Sequence, residues 1–111
     1  MESLSLNYKG KKIRLDANKC EFISKGIGLM FKPKITSNLL FEFRKSGNYS
    51  ITSVFVFFPF LAIWIDENNK VLETKIVKPF NLSIRPNKKF RRLVEVPVND
   101  ENTKILDFFR R

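Results

Sequence analysis

The sequence predicts a mainly β fold: a compact barrel-like or sandwich-like domain of about six to eight strands, with one short helix after the first hairpin and a short C-terminal helix. Three observations carry this prediction. Apolar residues alternate with polar ones in several short runs separated by turn residues. Ser53–Ile65, SVFVFFPFLAIWI, is almost wholly apolar, rich in aromatic and β-branched residues, and interrupted by Pro59, so it cannot be one long helix. Apolar residues make up 43% of 111 residues, twelve of them Phe, enough to fill one core and too many for a disordered chain. A single domain over residues 1–111 is expected.

Leu4, Leu6 and Tyr8 alternate with Ser5 and Asn7, and Ile13, Leu15 and Ala17 alternate with Arg14 and Asp16. With a Gly-containing turn between them, the two runs read as a hairpin with one wet face. Asn18 and Glu21 then have the spacing of a capping box. Cys20, Ile23 and Ile27 follow at near-helical intervals and Gly26 and Gly28 supply a stop, so a helix over about residues 19–27 is expected, with Cys20 on its inner face.

Leu39, Phe41 and Phe43 alternate with Leu40, Glu42 and Arg44, which predicts a half-buried strand. The Ser53–Ile65 run predicts a strand through about Phe58 and another from Phe60 to Ile65, apolar on both faces as central strands are. Pro59 fits the bend or a strand's first residue, because it cannot donate to a ladder. Trp64 and Phe57 are expected in the core. DENNK is a turn into the strand KVLETKIV, and RRLVEVPV reads as a last strand with Val94, Val96 and Val98 on one side and Glu95 on the other. In NDENTKILDFF, Asn99 or Asp100 caps a helix that turns Ile105, Phe108 and Phe109 to one face.

Composition limits the chemistry. There is no histidine and a single cysteine, Cys20, so neither a Ser-His-Asp nor a Cys-His unit can form, and no tetrahedral thiolate or histidine zinc site. An intramolecular disulfide is ruled out too, which suits a reducing compartment. The N-terminal residues lack the apolar core of a secretory signal, and the thirteen-residue run Ser53–Ile65 falls short of the ~20 of a spanning helix. The expectation is a cytoplasmic protein with no membrane span.

The net charge of +10 points to an anionic partner, nucleic acid among them, or simply to a lysine-rich solvated surface. From Thr74 to Val94 the chain carries Lys75, Lys78, Arg85, Lys88, Lys89, Arg91 and Arg92 without one acid, and Phe80 and Phe90 stand among them. Cations interleaved with aromatics neutralise phosphates and stack on bases. The plain alternative is a basic loop and an edge strand protected by lysine. Gly26 and Gly28 follow a helix rather than precede one, which makes them a C-cap rather than a phosphate loop. Asp66-Glu67 and Asp100-Glu101 are adjacent in turn or cap positions and do not converge as an acid/base pair must. Glu95, alone in an apolar run, could pair with a basic neighbour across the sheet.

Several segments, in order, resemble the family known as domain of unknown function 192, a small prokaryotic group. They are GLMFK at Gly28–Lys32, LLFEF at Leu39–Phe43, PFLAIWID at Pro59–Asp66, KVLETKIVKPF at Lys70–Phe80 and LVEVP at Leu93–Pro97. The resemblance spans about residues 12–98 and implies a compact, mainly β, barrel-like domain with a short helix. It brings no activity with it. Members usually carry Asn-Thr ahead of the proline and Leu-Asp after it; Phe55 and Val56 stand at the first pair, and Leu61 at the Asp. The family's last strand with its Gly-Asp ending gives way to the Lys- and Phe-bearing terminal helix. A polar cluster of that family would thus be largely apolar in this chain.

The function expected from the sequence is a non-enzymatic ligand- or partner-binding module without cofactor or metal; the alternative is a nucleic-acid-binding protein acting through segment 75–92.

Overall fold

A computed structural model describes residues 1–20, 37–50, 56–81 and 83–110. Strands β1 (Glu2–Tyr8) and β2 (Lys11–Cys20) form the N-terminal hairpin in the register Leu4 to Leu15 and Tyr8 to Lys11. Its two-residue turn holds Lys9 at φ 49° and Gly10 at φ 79°, the left-handed pair that matches strand twist. Strands β3 (Leu39–Gly47), β4 (Phe60–Ile65), β5 (Val71–Val77) and β6 (Phe90–Pro97) follow. A 3₁₀ turn at Asp100–Asn102 leads into helix α1 (Thr103–Arg110).

The six strands make one sheet in the order β1-β2-β3-β6-β4-β5. Only β2 and β3 run parallel; the other pairs are antiparallel. The sheet curls into a half-barrel. Asn7 bridges Lys70, and the Asn7 amide donates to the Asn69 carbonyl at 2.9 Å, so the first edge strand is tied to the start of the last.

Two apolar clusters lie on opposite faces. The first draws residues from all six strands, Leu6, Leu15, Leu40, Ile63, Val71 and Val94 among them, and fills the inside of the curl. Helix α1 closes it with Phe109, which meets Tyr8 at 5.1 Å between ring centroids. The second lies on the outer face of β3, β6, β4 and β5, where Phe41, Phe60, Trp64, Val77, Phe90 and Leu93 are covered by Val56, Phe58 and Ile84 from irregular segments. Every residue of β4 is therefore buried, as a central strand covered on both sides must be.

Two expectations change. Lys19 and Cys20 are the last residues of β2, not the start of a helix; the rest of the 19–27 segment lies outside the described residues. Cys20 instead pairs with Phe41 across the parallel β2–β3 ladder. Residues 56–59 form no strand, and the preceding five lie outside the described residues. Pro59 immediately precedes β4, and its carbonyl accepts from the Val98 amide at 3.0 Å. Asn99 is the cap before the 3₁₀ turn: its side chain accepts from the Asn102 amide at 3.1 Å.

Candidate nucleic-acid interface

The basic window divides between cations held by the fold and cations presented to solvent. Arg92 leaves β6 toward the β4–β5 turn, donating to the Asp66 carbonyl at 3.3 Å and to the Asn69 side chain. That turn is itself tightly specified. The Asp66 carboxylate accepts from the amides of Asn68 at 2.8 Å and Lys70 at 2.9 Å, and Asn69 takes φ 65°, a conformation Asn tolerates. Arg91 donates from Nε to the Phe43 carbonyl of β3. Both arginines are half-buried fasteners between strands and loops.

Lys75, Arg85, Lys88 and Lys89 are exposed, and none forms an ion pair among the described residues. The loop that carries the last three is fixed at two points. The Asn87 amide donates to the Glu73 carboxylate of β5 at 2.9 Å, and Asn48 Nδ2 donates to the Pro86 carbonyl at 2.7 Å. The loop therefore runs between β5 and the end of β3, over the outer face that Ile84 helps to cover. Lys75 lies on β5 and Lys78 just past its end, whereas Lys88 and Lys89 immediately precede β6.

The two aromatics of the window part company. Phe90 is fully buried, with its ring edge-to-face on Phe43 at 5.4 Å, Tyr49 at 5.7 Å and Trp64 at 6.4 Å. It has no face left for a base. Phe80, by contrast, is 62% exposed and stands at φ 67°, which for a bulky side chain is a strained, uncommon conformation. The turn is held by Asn81 Nδ2 donating to the Lys78 carbonyl at 2.9 Å. Against Phe80, at 5.7 Å and 66° between ring planes, stands Phe57.

Phe57 was expected in the core and is 58% exposed, because it belongs to the irregular stretch before β4 rather than to a central strand. Its neighbours Val56 and Phe58 turn inward while it turns out. In an unbroken apolar run, nothing in residue type distinguishes the three. Phe57 is thus a surface aromatic that the sequence conceals.

Glu95 lies on the side of β6 opposite Val94 and Val96, as the alternation predicts. It is 5% exposed, and burial pushes its carboxyl up from 4.5 to about 8. The expected cross-strand cation does not reach it, since Arg91 and Arg92 are engaged elsewhere and its lateral partners are Leu39 and Ala62. Among the described residues no group of three or more carboxylates and thiols gathers as a metal site would need.

With this geometry in hand, the chain can be set beside known proteins. The model of the uncharacterised DUF192 family matches residues 6–104. The chain belongs to the DUF192 family. Two crystal structures share the fold of this DUF192 domain. One is a protein of unknown function from Novosphingobium aromaticivorans, with a TM-score of 0.75 and 9% identity over 93% of this chain and 76% of the other. The second, from Sinorhizobium meliloti, is named a candidate transcription regulator, with a TM-score of 0.74 and 15% identity over 93% and 82%. No curated protein matches the sequence. No helix among the described residues is long and apolar enough to cross a membrane.

The departures from the family pattern now have a physical setting. Leu61 joins the cluster inside the curl and lines a groove of about 260 Å³ with Leu106 and Phe109 of α1. Lys75 and Arg110 line the same groove. Val56 is 2% exposed in the outer-face cluster. Phe55 lies outside the described residues.

Proposed function

We propose that this DUF192 domain is a non-enzymatic binding module whose partner is single-stranded nucleic acid, held where β5 ends. The observation that carries the reading is the Phe57–Phe80 pair: two rings each more than half exposed, fixed edge to face at 5.7 Å, directly beyond Lys78. Exposed aromatics in a fixed orientation offer flat faces on which bases stack whatever their sequence. The exposed cations Lys75, Arg85, Lys88 and Lys89 supply charge for the phosphates. Strain at Phe80 is in keeping with a ring placed for contact rather than for packing. The non-enzymatic part of the reading rests on a chain without histidine and on the adjacent acid pairs at Asp66 and Asp100, which sit in a turn and at the start of the 3₁₀ turn.

The test is binding of a mixed-sequence single-stranded oligonucleotide across a salt series. Affinity should fall linearly on a log–log plot, and Lys88→Ala with Lys89→Ala should lower the slope by about 1.4, two phosphates at ~0.7 each. Phe80→Ala should weaken binding by about 1–3 kcal/mol with the salt slope unchanged. Affinity that does not respond to salt would remove this reading.

A further inference from the structure

A groove of about 260 Å³ opens where β5, the last strand of the sheet, faces the terminal helix. Register builds its floor. Leu61 of β4 lies opposite Ile76 of β5, so the two side chains share the inner face of the curl. Leu106 and Phe109 of α1 form the facing wall. Leu61 is buried, but Ile76 is 53% exposed, an aliphatic side chain open to water in an otherwise apolar cleft.

The polar residues of the groove are Thr74, Lys75 and Arg110, and among the described residues no acid lines it. Lys75 forms no ion pair among the described residues. Arg110 has Asp107 at 4.0 Å, with both side chains more than half exposed. So long and solvated a pair contributes little and leaves the guanidinium able to take another acceptor. Two cations against one acid leave a single positive charge at the mouth, which suits a monoanion. The guanidinium fork matches the two coplanar oxygens of a carboxylate. Apolar walls with a few polar groups on one side are what a small-molecule site is made of, and this volume lies just below the ~300 Å³ at which sites for drug-sized ligands begin.

We propose that the groove between β5 and α1 binds a free monocarboxylate with a short alkyl chain. The tail lies against Leu61, Ile76, Leu106 and Phe109, and the carboxylate meets Lys75 and Arg110. This site goes beyond the nucleic-acid reading and does not need the Phe57–Phe80 pair. Lys75 is common to both, so the test leaves it in place.

Binding of butanoate, hexanoate and octanoate to the full chain would be measured by equilibrium dialysis near neutral pH at one ionic strength. Octanoate should bind saturably at one site, and affinity should rise about fourfold with each added CH₂ along the series. Octylammonium, with the same chain length and the opposite charge, should not bind. Arg110→Glu should weaken octanoate binding about tenfold or more, and Ile76→Ser should weaken it several-fold. Both side chains are exposed, and circular dichroism checks that the variants fold. Oligonucleotide binding that fails while octanoate binds would remove the earlier reading alone. Absence of saturable octanoate binding, equal uptake of octylammonium, one affinity for all three acids, or full affinity in both variants would each overturn the proposal.

Discussion

Phe57 and Phe80 meet edge to face at 5.7 Å while each stays more than half exposed, although they come from opposite sides of the β4–β5 hairpin. One precedes β4 and the other follows β5, so the antiparallel pairing of Phe60 with Val77 brings both to the same end of the sheet. A contact made at the end of a hairpin contributes little to a core. It does set the relative angle of two rings facing solvent.

That placement predicts a sharp contrast in stability. Trp64→Ala empties a fully buried site and should cost about 3–5 kcal/mol, whereas Phe57→Ala should cost less than about 1 kcal/mol. Urea unfolding of the two variants checks this. Equal losses would mean that Phe57 is part of the core after all.

The arginines and lysines of the basic window should separate by assay. Arg92→Ala leaves the Asn69 side chain without this donor and the Asp66 carbonyl with the Asn69 amide alone, and should lower stability by about 1–3 kcal/mol. Arg92→Lys should restore little, since one ammonium does not reproduce a planar fork. Lys88→Ala and Lys89→Ala should leave the melting temperature nearly unchanged, as exposed side chains without ion pairs do. Thermal denaturation at fixed salt distinguishes the two groups.

Glu95 predicts an unusual pH dependence. Its folded-state pKa of about 8 exceeds the ordinary 4.5, so between these values the native state holds a proton that the unfolded chain has released. Its contribution to stability is therefore fully present below 4.5 and is lost as pH rises toward about 8, at up to about 1.4 kcal/mol per unit. The charged groups in the neighbouring rows of β5 are Glu73, which accepts from Asn87, and Lys75, which is exposed; neither pairs with Glu95. Glu95→Gln should flatten this dependence and be the more stable form near pH 8, as measured by urea midpoints across the range. Parallel curves for the two proteins would show that Glu95 is not desolvated.

The approach to α1 depends on two asparagines. Asn99 accepts from the Asn102 amide, and Asn102 Nδ2 donates to the Pro97 carbonyl at 2.8 Å, with both residues buried. Asn99→Ala should cost about 1 kcal/mol. Asn99→Asp should recover most of that loss in a thermal melt, because a carboxylate serves equally well as a cap.

Local pattern determined most of the elements. The alternation Leu4-Leu6-Tyr8 and Ile13-Leu15-Ala17 specifies the N-terminal hairpin, because a period of two places alternate side chains on one face. Asn99 with Ile105, Phe108 and Phe109 specifies the terminal helix in the same way. The order of short motifs was enough to mark the family. What the tertiary structure decided is which residues of an unbroken apolar or basic run face inward. Val56, Phe57 and Phe58 are alike in hydrophobicity, yet Phe57 alone is exposed, since burial depends on what the rest of the chain lays over each position. Arg91 and Arg92 carry the same charge as Lys88 and Lys89, but strand register sends the arginines to carbonyls of β3 and the β4–β5 turn. The groove shared by Leu61 and Leu106 arises where a central strand meets the terminal helix, a separation in sequence over which periodicity carries no signal.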